Sequence, residues 1–116
     1  MIKIYHNPRC SKSRQGVELL EKSGKEFEII KYLETPLRVP ELTELIEKLG
    51  IEPIGLVRKN ETIWKENFKN KELSRSEIIK AMVENPKLIE RPIVVFKKNA
   101  VIGRPKENII GLLEKK

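Results

Sequence analysis

Residues 2–14 read IKIYHNPRCSKSR, and the order of residue types in this stretch decides the fold. Ile2 to Tyr5 is a short apolar run of strand composition, Asn7-Pro8 breaks it, and a helical stretch opens at Ser11 and stops at Ser23-Gly24 with Val17 and Leu20 on one face. Residues 27–32, FEIIKY, have the size and composition of a second strand, which after an intervening helix lies parallel to the first by a right-handed crossover. The chain therefore opens as a βαβ unit. Its only cysteine, Cys10, stands where the loop enters the helix.

Further along, Pro40 fits the first position of a helix whose apolar residues Leu42, Leu45, Ile46 and Leu49 follow i, i+3, i+4, i+7 spacing until Gly50. Residues 53–90 contain no good strand. Trp64 and Phe68 are one turn apart, and Ser74 with Glu77 forms a capping-box pattern ahead of Ile78, Ile79 and Met82, so this stretch reads as a helical insert closed by Asn85-Pro86. After Arg91-Pro92 come Ile93 to Phe96, a turn at Lys97-Lys98-Asn99, and residues 100–102. This reads as a hairpin whose first strand, apolar on both faces, is central. Pro105 opens a last helix carrying Ile109, Leu112 and Leu113. The expectation is an α/β protein: one domain over 1–116, a four-stranded mixed sheet flanked by helices, with a helical insertion at about 53–90 between the second and third strands.

At 116 residues the chain can build a core without disulfides or metals. A single cysteine excludes an internal disulfide and any internal two-thiol couple, so a reaction that oxidises Cys10 takes its second thiol from another molecule. One Cys and one His cannot supply a structural zinc site, and no phosphate-loop or dinucleotide glycine pattern is present, so no bound metal, nucleotide or haem is expected. The net charge of +7 comes from lysines and glutamates interspersed along helix faces, without a basic tail or enough aromatics for a stacking platform. That pattern argues against a nucleic-acid partner and fits a modest positive field that attracts a small anion. No cationic lead precedes a long apolar stretch and no run reaches membrane-spanning length, which makes a reducing cytoplasm, away from membranes, the expected location.

A thiol at a helix N-terminus is favoured as thiolate by backbone N–H groups and the helix dipole, and Arg9, Lys12 and Arg14 add positive charge nearby. Buried free cysteines usually act as small hydrophobes, but no apolar periodicity includes position 10 and its flanks are polar or loop-forming. Arg58, Arg91 and Arg104 stand at element ends, the latter two each followed by a proline, and arginine's planar fork suits oxyanions. His6 either assists the thiolate, as imidazolium or proton relay, or is an ordinary packed residue. Ser13 either donates its hydroxyl to the sulfur or caps the helix.

Five segments, YHNPRCSKSR (5–14), KYLETP (31–36), LVRKN (56–60), ENPKLIERPIVV (84–95) and IGRP (102–105), together resemble the glutaredoxin-coupled, ArsC-type arsenate reductase family, in order and at matching spacing over nearly the whole chain. The resemblance implies a thioredoxin-like fold, with Pro92 beside the cysteine loop and its Arg91-Pro92 bond cis. It implies Cys10 as nucleophile assisted by His6, and Arg58, Arg91 and Arg104 as ligands of the arsenate oxygens; from their positions in the loop and first helical turn, Ser13 and Arg14 are expected to support the site. The implied reaction is reduction of arsenate to arsenite with glutathione as co-substrate and a glutaredoxin as partner, without a bound cofactor. Two alternatives share the fold: a general thiol exchanger, and a Spx-like regulator that binds RNA polymerase. The CxxC switch of many such regulators is impossible here because Ser13 stands in place of the second cysteine.

Overall fold

The computed structural model describes residues 1–114; Lys115 and Lys116, the end of the domain expected over 1–116, lie outside them. The described residues form two compact units, one from residues 1–35 and 91–114 and the other from 36–90. The second takes in the helix before Gly50 as well as the stretch from Pro53.

In the first unit, Ile2–Tyr5 forms β1, Ser11–Ser23 forms α1, and Phe27–Ile30 forms β2. β2 pairs parallel to β1 in register from Ile2 opposite Phe27 to Tyr5 opposite Ile30, the expected βαβ geometry. The second strand is shorter than residues 27–32 because its partner ends: the last ladder bond runs from His6 N–H to Ile30 C=O at 2.8 Å, and Asn7-Pro8 then turns away. Ile93–Phe96 forms β3, antiparallel to β1, and Asn99–Ile102 forms β4, antiparallel to β3. The sheet order β2-β1-β3-β4 makes it mixed and four-stranded, with β3 internal and Ile93, Val94 and Val95 all buried. Asn99 belongs to β4, opposite Phe96, so the turn is only Lys97-Lys98 and is tighter than expected, with Lys97 at φ 58. Glu107–Leu113 forms the final helix of the chain. It starts two residues after Pro105 because the bonds Asn108 N–H to Pro105 C=O and Ile109 N–H to Lys106 C=O close a tighter i to i+3 turn first. One face of the sheet, through Ile2, Ile4 and Val94, packs with Leu20 of α1 and with Ile109 and Leu112 of that last helix. Burying those side chains stabilises this layer by roughly 1.5–3 kcal/mol each.

In the second unit, Val39–Leu49 forms α2, Thr62–Asn67 forms α3 and Arg75–Glu84 forms α4, so the last helix of the chain is α5. α2 begins one residue before Pro40, at Val39; proline is tolerated throughout a first turn, and the Glu41 carboxylate accepts the Arg38 N–H at 3.1 Å. Ser74 and Glu77 make the expected capping box on α4: Glu77 N–H donates to Ser74 Oγ at 3.2 Å and Ser74 N–H to Glu77 Oε1 at 3.0 Å. The Trp64 and Phe68 rings stack with centroids 5.5 Å apart. The only extended pairing in this unit is a single antiparallel bridge, Val57 to Ile89. Gly24 and Gly50 end α1 and α2 in the left-handed region, at φ 73 and φ 68, a conformation that glycine adopts without a Cβ penalty.

Candidate active site

Cys10 is the residue immediately before α1, with extended backbone at φ −97 and ψ 122. Its N–H donates to Asn7 C=O at 3.0 Å and its C=O accepts the Arg14 N–H at 3.0 Å, so the loop closes before the helix opens. The side chain is half-buried. Partial burial pushes the thiol up, but the Ser13 N–H, the Arg91 guanidinium and the Lys12 N–H outweigh it and leave the thiol below its ordinary value. The positive charge that acts on the sulfur is thus Arg91, from the far end of the chain. Arg14 instead donates from Nη1 to Pro8 C=O at 2.9 Å and straps the loop.

Ser13 contributes its backbone N–H to the sulfur and directs its hydroxyl elsewhere. The residue is fully buried; its Oγ accepts the Asn7 N–H at 3.0 Å and lies 2.6 Å from His6 Nδ1. The hydroxyl keeps its proton and a second lone pair, so it pairs with Nδ1 as donor or acceptor according to the tautomer of the ring. Burial, then Lys31 and Arg14, hold His6 below the ordinary imidazole value, which favours the neutral ring. The ring is buried and pairs with Ser13 in the loop that carries Cys10. Asn7, in sequence only part of the Asn7-Pro8 strand break, is buried and holds the loop twice more, through its C=O to Cys10 and its Oδ1 accepting the Arg9 N–H at 3.0 Å.

Arg91 and Arg104 flank a tight seam. Gly103 N–H donates to Pro92 C=O at 2.8 Å, and a Cβ placed on Gly103 would lie 2.9 Å from both Pro92 Cγ and Ile109 Cδ1. Gly16 of α1 meets the same two side chains, at 3.1 Å and 3.3 Å from its own hypothetical Cβ. The Pro92 ring is thus wedged between two glycines, with Arg91 on one side of it in sequence and Arg104 just beyond the other. Both Arg-Pro bonds are cis, at Pro92 as the family resemblance implied and also at Pro105. Neither Gly16 nor Gly103 was singled out by sequence; their signal is a glycine inside a helix and a glycine directly before an arginine. The structure gathers His6, Cys10, Ser13, Arg14, Arg91, Pro92 and Arg104 into the first unit, whereas Arg58 belongs to the second. There Arg58 Nη1 donates to Glu90 Oε1 at 3.0 Å, and Nε faces Glu61 Oε2 at 3.7 Å. Among the described residues no three His, Cys, Asp or Glu gather as a metal site, and no helix is long and apolar enough to cross a membrane.

Other proteins are similar to this chain over almost its full length. The Escherichia coli K12 protein YfgD, itself uncharacterized, is 47% identical over 114 residues, covering 97% of this chain and 96% of that one. A protein named arsenate reductase from Neisseria meningitidis strain Z2491 is 43% identical, with 97% of each chain covered. The solved structure of an arsenate reductase from Vibrio cholerae superposes with a TM-score of 0.91 at 46% identity, covering 95% of both chains. The ArsC family model matches residues 5–111, a span that contains the cysteine loop, all three element-end arginines and the Pro92 seam, and on that match the chain belongs to the ArsC family.

Proposed function

We propose that this protein reduces arsenate to arsenite, with Cys10 as its single nucleophile and glutathione and a glutaredoxin as the source of electrons. The observation that supports it best is the convergence of the Ser13 and Lys12 N–H groups and the Arg91 guanidinium on one half-buried sulfur, in a chain similar throughout to proteins named arsenate reductase. The Cys10 thiolate attacks arsenic and one oxygen leaves as water. Arg91, Arg104 and Arg58 hold the remaining oxygens, their charge matching the anion as its bonds rearrange. Glutathione condenses with the bound arsenic and a second water leaves. A glutaredoxin thiol then attacks the glutathione sulfur; the arsenic–sulfur electron pair stays on arsenic, which becomes As(III), and a glutathione–glutaredoxin disulfide forms. Hydrolysis of the Cys10–arsenic bond releases arsenite and restores the thiol. The sum is arsenate plus two thiols giving arsenite, a disulfide and water. Glutathione is a co-substrate and no cofactor is bound. A reducing compartment, the cytoplasm, keeps the thiol available.

Within this scheme His6 and Ser13 act by holding the loop that presents Cys10, and Arg14 by strapping it. The test is turnover of arsenate by purified protein with glutathione and glutaredoxin. Arsenite should form, and Cys10→Ser should abolish it; equal turnover by that variant would refute the mechanism. Glutathionylation of Cys10 without any arsenic product would instead identify a general thiol exchanger.

A further inference from the structure

Arg58 is not held as a bare cation. Residues 56–58 and 88–90 run antiparallel: Arg58 N–H donates to Leu88 C=O at 2.7 Å, Glu90 N–H donates to Leu56 C=O at 2.9 Å, and Val57 and Ile89 pair between them. This places Arg58 and Glu90 diagonally on the same face of the two segments, a spacing that long side chains bridge. The Glu90 carboxylate takes one guanidinium N–H at 3.0 Å, with the Arg58 side chain only 22% exposed and that of Glu90 28%. Glu61 lies 3.7 Å from Nε. An oxyanion that shares this guanidinium comes to rest beside a carboxylate that is partly withdrawn from water.

We propose that Glu90 is a specificity-determining residue, which makes the Arg58 site accept tetrahedral oxyanions that carry a proton and reject those that do not. This rests on the reading above that Arg58 binds the substrate oxyanion. Arsenate and phosphate keep at least one hydroxyl at neutral pH and can donate it to the Glu90 carboxylate. Sulfate has no proton to donate, so its full charge faces a second anion across the same guanidinium. A specificity element that works through an unfavourable contact with the wrong ligand discriminates more sharply than one that only adds contacts to the right one.

The probes are inorganic phosphate and inorganic sulfate, titrated calorimetrically into the wild-type protein and into Glu90→Gln, Glu90→Asp and Arg58→Ala at constant ionic strength, with thermal melts to show that each is folded. Wild type should bind phosphate about tenfold or more tighter than sulfate, the partial exposure of the pair holding the ratio well below that of a fully enclosed site. Glu90→Asp should keep that preference. Glu90→Gln, which replaces an anion by a group that both donates and accepts, should bring the two affinities within about threefold, chiefly by tightening sulfate. Equal affinities in wild type, or an undiminished ratio in Glu90→Gln, overturn the proposal. Unchanged binding of both anions by Arg58→Ala would instead remove Arg58 from the oxyanion site and take the underlying assignment with it.

Discussion

Two side chains, Arg91 and Ser13, determine the state of the thiol by different routes. Arg91 acts directly, as a charge and a donor at the sulfur. Arg91→Met therefore raises the Cys10 thiol, so that its alkylation rate at neutral pH falls and the midpoint of the alkylation–pH curve moves upward. Arsenate turnover falls by on the order of a hundredfold, the usual effect of losing one preorganised donor to a developing anion. Ser13 acts through the loop. Its Oγ is the hydrogen-bond partner of both the Asn7 N–H and His6 Nδ1, in a fully buried position. Ser13→Ala leaves two buried polar groups unsatisfied and should cost about 2–4 kcal/mol in urea-induced unfolding. Sequence pointed to Ser13 but offered the sulfur or a helix cap as the partner of its hydroxyl; the hydroxyl instead pairs with His6 Nδ1 and the Asn7 N–H, all three residues being buried.

At the scale of elements, the wedge of Pro92 between α1 and the end of β4 couples two otherwise separate segments to the cysteine. An alanine at Gly103 would bring its Cβ to 2.9 Å from the Pro92 ring and from Ile109, contacts that cannot exist without movement. Gly103→Ala is predicted to lose about 1–3 kcal/mol of stability. It should also raise the Cys10 thiol, because Arg91 moves with its neighbouring proline. Ile109→Val removes the Cδ1 atom that would clash, so the double variant should lose less than the two single variants summed, a coupling readable from thermal melts. If Gly103→Ala lowers stability but leaves the alkylation–pH curve in place, the seam supports the fold and does not position Arg91. Most of the element order was legible from short-range signals: the apolar runs of β1 and β3, the spacing of α2, the Ser74–Glu77 box and the glycine stops. The limits of β2 and the onset of α5 were not, since one depends on where its partner strand ends and the other on a tight turn that closes before the helix begins.

For the molecule as a whole, the neutral His6 links folding to pH. Its native value is depressed by burial, Lys31 and Arg14, so the unfolded chain, with imidazole near 6.5, takes up a proton that the native state refuses. The stabilisation from a neutral ring is fully present above about 6.5 and is lost as pH falls through the lower native value, with a slope of at most about 1.4 kcal/mol per pH unit for one proton. Melting temperature should fall between pH 7 and 5 in wild type. It should fall less in His6→Gln, whose amide can donate to or accept from Ser13 but takes up no proton. A pH profile unaltered by that substitution would show the ring to be titrating freely.

What could be read from the residues alone was whatever neighbours in the chain decide among themselves: strand and helix order, most caps and stops, the absence of an internal thiol partner, and Cys10 at a helix N-terminus. These follow from local hydrogen bonding and from the period of apolar residues, which act over a few positions. What only the tertiary structure decided is which distant groups meet. Arg91 and not Arg14 charges the sulfur, Ser13 serves the ring of His6, Pro92 lodges between Gly16 and Gly103, and Glu90 shares the guanidinium of Arg58. Such meetings depend on strand register and on which side chains the packing of a core leaves facing one another, and no short stretch of sequence contains that information.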